Sequence, residues 1–500
     1  MKAITMTSIN NDHMASRALL GLNLSSKVMS QAMERLSSGQ RINSSSDDAS
    51  GMGISTIHKA HTKGINMSVR HAADGLGIVN SIDGALDLAT NSLLKMRELA
   101  VQSSSDVYSF LDRTFMQDEL NQLNLEINRL SKNTKFNNMN LLDGTFNKNI
   151  SIGKTSSEVI NLNISSSSSS EIGAYQIKSN SEVSSSASSL LLAKTELNRL
   201  FSSLADYSIN EAGTSSLSKI DLKGGDNARD VALSFNRINS KTNIEASAIT
   251  RARITISSPS NISFSMEGKG STPSIVSASI TSHNDLTSLM ESINYNSSVS
   301  GIVATLTEDK TGVNLVQSEG YDILIADIEG SNITLSALDS DGNESGSSTN
   351  LVVGGNDSAG VVGNIILSSH EAFSITSGNS NNHFSADTLS QSSNLNTVGD
   401  INIKTQIGAQ NALAIIDASL TFIGSIRSKM GAQTGRFEAI VNNLTSISLN
   451  TEKANNNFTD ADFGTESTRL TKFQILHQAS NSMMAQANKA KNYLLKLINN

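Results

Sequence analysis

The feature that most constrains the fold is an apolar stripe between residues 65 and 101, where apolar side chains recur at alternating steps of three and four residues. The stripe consists of Ile65, Val69, Ala72, Leu76, Val79, Ile82, Leu86, Ala89, Leu93, Met96 and Ala100. This spacing puts one apolar face along one side of a helix. At about 1.5 Å per residue the helix would be roughly 55 Å long, longer than a small domain is wide. A second long helix must therefore cover it.

The covering helix is predicted near the other end of the chain, where apolar residues fall seven apart. They are Ile416, Ile423, Met430, Phe437 and Leu444. A third stripe follows the first directly, at Met116, Leu120, Leu123, Ile127 and Leu130. Apolar residues at a and d positions bury against a partner helix, so we expect three long helices that pack as a rod. The two ends of the chain then pair, and the residues between them loop out.

Each end of the chain also predicts one further helix. Residues 5–36 form the first, which ends at Gly39, and residues 465–500 form the second. Their predicted contact residues are Leu22, Met29, Met33, Leu36, Leu476, Met483, Leu494 and Leu497. The opposite face of the first helix is rich in Ser, Asn and Gln, so this helix has too little apolar surface to form a core alone. We expect both helices to stay mobile until partners cover them.

The middle of the chain has a different pattern. Apolar residues between 150 and 160 predict a β-hairpin, and the six serines from Ser165 to Ser170 predict a flexible join. Residues 176–403 are rich in Ser, Asn and Gly, with alternating apolar residues that predict short strands. A weak internal repeat places Ile238-Asn239 and Ile293-Asn294 in equivalent positions, 55 residues apart. The expected fold is mainly α at the termini, a long antiparallel helical rod, with an inserted β-rich or α+β central region.

Composition excludes several classes of protein. The chain has no Cys, so a disulfide framework and a thiolate metal site are impossible. Its formal net charge of -8 argues against a nucleic-acid partner, because phosphate binding relies on clusters of Lys and Arg. We find no uninterrupted apolar run of about 18 residues, and the N-terminus lacks the apolar core of a secretory signal, so neither membrane insertion nor a cleaved signal peptide is expected.

No group of residues in the sequence predicts catalysis, a cofactor or a metal site. His58 and His61 lack further ligands at a fixed spacing. His370-Glu371 opens like a zinc-protease helix, but Ser374 stands where the second histidine is needed. Asp339 and Asp341 resemble the start of a calcium loop, but the glycine at 342 comes too early, so an Asp-Gly turn is expected. Gly51 and Gly53 follow no strand, which excludes a phosphate loop.

Both ends of the chain carry a set of short motifs. They are Glu34-Arg35-Leu36-Ser37-Ser38-Gly39, Arg41-Ile42-Asn43, Asp47-Asp48-Ala49, Arg97-Glu98-Leu99-Ala100-Val101-Gln102, Leu141-Leu142-Asp143-Gly144, Gly431-Ala432-Gln433, Arg436-Phe437, Asn442-Asn443-Leu444, Gln474-Ile475-Leu476 and Met484-Ala485-Gln486-Ala487-Asn488. As a set they resemble the motifs of the bacterial flagellins, the subunits of the flagellar filament, and they cover about 175 N-terminal and 95 C-terminal residues in the family's order. Two departures are the uncharged Asn455–Phe458 before the last helix and Lys491 in place of a frequent proline.

The resemblance implies a domain plan. Residues 1–44 and 456–500 would be the helices of the inner filament core, and 45–175 and 404–455 the two parts of the rod domain. Residues 176–403 would be a variable outer region exposed on the filament surface.

The resemblance also implies partners and contact residues. The chain would polymerise with itself outside the cell, after export by the flagellar secretion apparatus without a cleaved signal peptide. Its other partners would be a chaperone on the C-terminal helix, the filament cap, hook-associated proteins and the host Toll-like flagellin receptor. The candidate subunit or receptor contacts are Lys95, Arg97, Glu98, Leu99, Gln102 and Glu119. Two alternatives remain: a hook–filament junction protein, or a secreted adhesin on a flagellin scaffold.

Overall fold

The structure is a computed structural model. It describes residues 13–153, 158–179, 182–187, 206–211, 218–221, 226–269, 272–377, 384 and 390–498, with the side chains beyond Lys489 outside the description. The chain divides into two compact units. The first combines Met1–Ile78, Lys148–Leu162 and Gln433–Asn500, and the second combines Val79–Asn147 and Asn163–Ala432. The domain boundaries given above stay predictions.

Five long helices carry the two ends of the chain. They are α1 (His13–Ser38), α2 (Ala49–Ser103), α3 (Phe110–Asn133), α8 (Gln406–Thr459) and α9 (Phe463–Ile498). The helices predicted from the three apolar stripes and at the two ends are confirmed, although residues 5–12 lie outside the described part. The described residues between them include four short α-helices: α4 (Ala228–Asn236), α5 (Asn239–Thr242), α6 (Thr287–Tyr295) and α7 (Ser297–Ser300).

In the first unit, the N-terminal half of α2 packs against the C-terminal half of α8. The Ser448 hydroxyl donates to Asn66 Oδ1 at 2.7 Å, and Phe437 is fully buried. The predicted hairpin is confirmed as β3 (Asn147–Ser151) and β4 (Val159–Asn163). The hydrogen bond between Ser448 and Asn66 joins residues 382 positions apart, as the paired stripes predict.

Gly75 in α2 is required by close packing. A Cβ at this position would lie 2.8 Å from Phe437 Cζ and 3.0 Å from Ile150 Cδ1. We therefore expect Gly75→Ala to lower the free energy of unfolding by about 1–3 kcal/mol, because overpacking outweighs the better helix propensity of alanine.

Gly53, in the same helix, provides the matched control for Gly75. It has nothing within 4 Å of its Cβ position. Gly53→Ala should raise the free energy of unfolding by about 0.5–1 kcal/mol. Chemical denaturation of both variants measures the difference, and equal effects of the same sign would refute the packing argument.

In the second unit, α2, α3 and the start of α8 share a core that buries Leu86, Leu93, Met96, Leu120 and Ile416. Arg113 on α3 donates to the carbonyl oxygens of Ser103 and Ser105, where α2 ends, at 2.9 Å each. The buried Gln117 donates to Ile401 O at 3.1 Å and accepts from Ile403 N at 2.6 Å. These bonds hold the segment before α8 against α3.

The serine run is ordered, which corrects the predicted flexible join. Ser167 N donates to Leu142 O at 3.0 Å, and Ser169 N donates to Asn128 Oδ1 at 3.1 Å. Ser166, Ser167 and Ser169 are buried. Small hydroxyl side chains fit close to α3 and hydrogen-bond there, so a composition typical of linkers here forms a packed segment.

The described strands of the central region are paired antiparallel. A two-stranded pair contains β1 (Lys135–Phe136) and β2 (Met139–Asn140). The largest sheet has the order β12-β13-β9-β18-β5-β21, with β15 also on β9 and β16 on β15. Its strands are β5 (Gly173–Lys178), β9 (Glu245–Ile256), β12 (Ile302–Leu306), β13 (Gly312–Gln317), β15 (Ile333–Leu338), β16 (Glu344–Leu351), β18 (Asn364–Ser369) and β21 (Asn394–Thr397).

Two further sheets complete the region. A five-stranded sheet has the order β11-β10-β14-β17-β6, and a four-stranded sheet has the order β20-β19-β7-β8. Their strands are β6 (Val183–Ala187), β7 (Asp206–Glu211), β8 (Ser218–Asp221), β10 (Asn261–Glu267), β11 (Ser274–Ser279), β14 (Ile323–Glu329), β17 (Ser358–Val361), β19 (Phe373–Ser377) and β20 (Ser390–Ser392). The predicted β-rich or α+β insert is confirmed.

The internal repeat is real, but its period differs from the prediction. Asn236 Nδ2 donates to Ala246 O at 2.7 Å and Asn236 Oδ1 accepts from Ala246 N at 2.8 Å. Asn294 and Ala304 make the same two bonds, at 2.8 and 2.7 Å. The equivalent residues are thus 58 apart (236 to 294), not 55. Sequence matching on Ile-Asn pairs chose Ile238-Asn239, whereas the side chain that closes the module belongs to Asn236.

We expected no apolar segment long enough to span a membrane, but one helix contains a candidate window. Helix α8 contains an 18-residue window that is apolar enough to cross a membrane by length and composition alone. Ile416, Ile423, Ile426 and Met430 of this helix are buried. Only 28% of the window is buried in this structure, and a single helix of this kind is weak evidence for a membrane span.

Candidate self-assembly interface

Helices α1 and α9 pair through narrow stripes, which consist mostly of small residues on α1 and mostly of larger ones on α9. Their covered positions follow the alternating three and four spacing of a coiled coil. At Gly21 a Cβ would lie 3.1 Å from Ser480 Oγ, so the two helices approach closely there. The covered residues are Ala15, Ala18, Leu22, Ser25, Met29, Ala32 and Leu36 on α1, and Glu466, Leu470, Phe473, His477, Ser480, Met484 and Ala487 on α9.

Outside these stripes the same two helices carry larger apolar side chains that the described residues leave exposed. Leu20 and Leu24 are 69% and 60% exposed, and they lie opposite the covered stripe of α1. The other exposed members are Met14, Leu19, Met33, Phe463, Ile475, Leu476 and Met483. We call this set, with Leu20 and Leu24, the outer apolar face; its members lie on several sides of the helix pair.

The predicted inner-core residues divide between the two faces. Leu22, Met29 and Leu36 lie toward α9 and are half-buried, whereas Met33, Leu476 and Met483 belong to the outer apolar face. The side chains of Leu494 and Leu497 lie outside the described residues. Heptad spacing alone does not separate these faces, because apolar residues on both sides of α9 repeat every seven positions.

A buried ion pair fixes the register of α1 on α9. Arg35 Nη1 lies 3.0 Å from Glu466 Oε1, and the two side chains are 13% and 7% exposed. Arg469 adds a longer contact to the same oxygen, at 3.7 Å. The Arg35 Nε and Glu466 Oε2 atoms are buried with no hydrogen-bond partner. The hydrogen bonds therefore compensate only part of the cost of burying the two charges. Removing one partner should lower the free energy of unfolding.

Backbone hydrogen bonds join the segments that connect α1 to α2 and α8 to α9. Arg41 N donates to Thr459 O at 2.6 Å, and Ala461 N donates to Gly39 O at 2.9 Å. The Arg41 guanidinium donates to Phe458 O at 2.8 Å. Gly39 has a φ of +71°, a conformation that glycine adopts without strain. The two ends of the chain are thus held together at this joint.

Asp47 links α1 to the segment before α2. The Gln31 side chain donates to it at 2.8 Å, and the backbone N–H groups of Ser44 and Asn43 also donate. These hydrogen bonds, with that from Gln31 the largest effect, lower the pKa of Asp47 to about 2. Because the folded pKa is below the ordinary value, the stabilisation is present at neutral pH and is lost as the pH falls from about 4 toward 2.

The candidate contacts around α2 have different environments. Arg97 makes a bidentate ion pair with Asp417 on α8, at 2.6 and 3.3 Å, which raises the pKa of Arg97. Leu99 is 3% exposed and packs in the core, so its side chain is not presented to a partner in this structure. The exposed candidates are Lys95, Arg97, Glu98, Gln102 and Glu119.

Lys95 keeps an accessible ammonium group. It pairs with Glu98 at 2.8 Å, and this hydrogen bond, followed by the charges of Glu98 and Glu119, raises the pKa of Lys95. The roles of these residues in subunit or receptor contact stay predictions.

Sequence reasoning missed the partners that lie on other helices. Arg427 on α8 pairs with Asp83 and Asp87 on α2, each at 2.9 Å. Asp83 and Asp87 are four residues apart, so they share one helix face, which is a detectable signal. Nothing in the sequence indicates which cation, more than 300 residues away, lies opposite them.

The candidates for metal or catalytic chemistry do not form a site. Within the described residues, no group of three or more His, Asp or Glu side chains could hold a metal ion. His370 follows β18 and Ser374 lies on β19, so this stretch is not a helix. Asp341 is paired with Lys178 at 2.9 Å in a turn where Gly342 has a φ of +85°, as the predicted Asp-Gly turn requires.

The geometry defines a class of protein: a structural subunit whose paired terminal helices are incompletely covered until they meet other copies. The family comparisons agree with this class. The bacterial flagellin N-terminal helical region matches residues 9–147, and the bacterial flagellin C-terminal helical region matches residues 413–498.

Two full-length relatives and one solved structure extend the comparison. The chain is 30% identical to B-type flagellin of Pseudomonas aeruginosa, over 98% of this chain and 99% of that protein. It is 27% identical to polar flagellin F of Vibrio parahaemolyticus, also over 98% and 99%. The solved structure of FliC from Burkholderia pseudomallei aligns with 72% of this chain and 99% of that chain, at 16% identity and a TM-score of 0.30, which is too low to support an argument.

The chain belongs to the bacterial flagellin family. It is a structural subunit of the flagellar filament, which lies outside the cell and serves swimming motility.

Proposed function

We propose that copies of this chain polymerise through the outer apolar face of α1 and α9. The observation that carries the proposal is the division of these two helices into a stripe that the other helix covers and a set of large apolar side chains that stay exposed. Burying the exposed face in a polymer gives each subunit many individually weak contacts. Heterologous contacts that do not close produce a helical filament rather than a ring.

We also propose the more specific properties that the flagellin resemblance implies, namely the lack of enzymatic activity, the export route, the partners and the domain plan. The chain is not an enzyme. It leaves the cell unfolded through the flagellar secretion apparatus without a cleaved signal peptide, and it meets a chaperone on its C-terminal helix, the filament cap and hook-associated proteins. Residues 1–44 and 456–500 form the inner filament core, 45–175 and 404–455 form the rod, and 176–403 face solvent.

Removal of α9 tests the assembly mechanism. A chain that ends before Phe463 should form no filaments in a salt-induced assembly trial viewed by electron microscopy, while the full chain forms long ones. Normal fibres from the shortened chain would refute the mechanism. Short rings from the full chain would favour the hook–filament junction alternative.

Receptor recognition by the surface around Lys95 is a second proposal, supported by the exposure of Lys95 and Glu119. Flagellins usually carry arginine at this position, and a guanidinium presents a planar fork of donors that an ammonium lacks. We expect Lys95→Arg to raise the affinity for the Toll-like flagellin receptor in a binding titration. No gain in affinity would count against this role, and Lys63→Arg on the same helix provides the control.

A further inference from the structure

The two repeated modules of the central region differ at one surface. In each module an asparagine side chain closes a loop onto a strand, from Asn236 to Ala246 and from Asn294 to Ala304. Inside the first loop three positions carry exposed charged residues, Arg237, Lys241 and Glu245. The equivalent positions of the second loop, 58 residues later, carry Tyr295, Val299 and Val303.

The three apolar residues of the second module are exposed. Tyr295 is 88% exposed, and Val299 and Val303 are half exposed. Ile275 on β11 is also exposed, and its backbone oxygen accepts from Nδ2 of Asn296, the residue after Tyr295, at 3.2 Å. We call these four residues the module patch. The first module shows that the fold accepts charged residues at three of these positions, so packing within the chain does not explain the apolar ones.

The strand edges at the patch are covered by side chains of residues 288–296. Ser292 Oγ donates to Ser277 O at 2.8 Å and Asn296 Nδ2 donates to Ile275 O at 3.2 Å, both on β11. The Asn294 side chain makes its two bonds to the Ala304 backbone on β12. The patch therefore offers apolar side chains, not unpaired backbone groups, to another protein surface.

The size of the patch indicates its occupant. Four side chains offer on the order of 400 Å², since an aromatic side chain buries about 150–250 Å². A stable independent complex needs about 800 Å² from each partner. A patch this small is occupied only by a surface that other contacts already hold nearby, at an effective concentration in the millimolar range. Neighbouring copies in the filament meet this condition.

We infer that the module patch contacts the central region of a second copy of this chain in the assembled filament. The inference rests on polymerisation through the terminal helices, and it adds a lateral contact at the outer surface that monomers in solution do not make. The contact would contribute to filament stability without being needed for assembly.

The chain has no cysteine, so a single introduced thiol reports on this surface. In the full-length protein, we expect the Val299→Cys thiol to react with a maleimide at least 10-fold more slowly in filaments than in monomers. Val353→Cys, at a similarly exposed valine elsewhere in the central region, should change less than twofold. In a Tyr295→Arg/Val303→Glu background, which copies the first module, the Val299→Cys thiol should react in filaments at the monomer rate.

Each other outcome overturns the inference in a distinguishable way. Filaments in which the Val299→Cys thiol reacts at the monomer rate refute the contact and leave polymerisation intact. Equal slowing at positions 299 and 353 shows general shielding by the polymer. Slow reaction already in monomers shows that another part of the same chain covers the patch. Absence of filaments from the wild-type chain refutes polymerisation itself.

Discussion

Replacing Leu20 and Leu24 by serine is expected to raise the critical concentration for filament assembly about 100-fold or more. Both side chains are exposed in the monomer and belong to the outer apolar face. Burial of a leucine contributes about 1.5–3 kcal/mol, so losing two costs roughly 3–6 kcal/mol per subunit. Each 1.4 kcal/mol corresponds to about tenfold in an equilibrium constant. Sedimentation of assembled protein over a range of total concentrations measures the effect.

The control for this double variant lies between the two leucines. Asn23→Ser shortens an exposed polar side chain on the same turn of α1, and it should change the critical concentration less than about threefold. Far-UV circular dichroism of the monomers should be unchanged in both variants, because the covered stripe is untouched. If the leucine variant assembled at the wild-type concentration, the outer apolar face would not be the polymer contact.

Removing the arginine of the buried pair should loosen the terminal helices. Arg35→Ala leaves the Glu466 carboxylate buried, with only the longer contact to Arg469. Breaking a buried ion pair in this way costs about 3–5 kcal/mol. We expect amide hydrogen exchange in residues 25–36 and 466–480 of the monomer to accelerate by about 100-fold or more if this region opens as a unit.

Two further variants test whether the effect comes from leaving one buried charge unpaired or from breaking any ion pair. Arg35→Met/Glu466→Leu removes both charges and should restore most of the protection, since an apolar replacement of a buried pair is often neutral. Arg129→Ala breaks the exposed pair with Glu126 and should cost less than about 1 kcal/mol. An Arg35→Ala effect no larger than that of Arg129→Ala would contradict the proposed role of the buried pair.

The covered stripes could be predicted from sequence wherever periodicity is local. Ile82, Leu86, Leu93, Ile416 and Ile423 are buried as their spacing predicts. The prediction was weaker on α9, where Leu476 and Met483 also repeat every seven residues but lie on the exposed face. Periodicity places residues on a common face, but it does not say which face the partner helix covers.

The contacts of the candidate interface were harder to predict from the sequence, because they depend on the three-dimensional arrangement. The sequence does not indicate that Asp417, which is 320 residues away, pairs with Arg97. The role of Arg97 as a contact with other molecules stays a prediction. The serine run resembled a linker because composition does not report that Asn128 and Leu142 offer it hydrogen bonds. The repeat was found at the wrong period because the asparagine that closes each module is recognisable only by its bonds to the strand.

The sequence by itself determined that this chain builds long amphipathic helices from both ends around a β-rich insert, because helical period and the chain's few helix breakers act locally. Only the tertiary structure decided which charged groups pair, which serines are buried and which apolar faces stay open. Those outcomes depend on contacts between residues hundreds of positions apart. Within the described residues, apolar side chains stay exposed on α1, on α9 and around Tyr295.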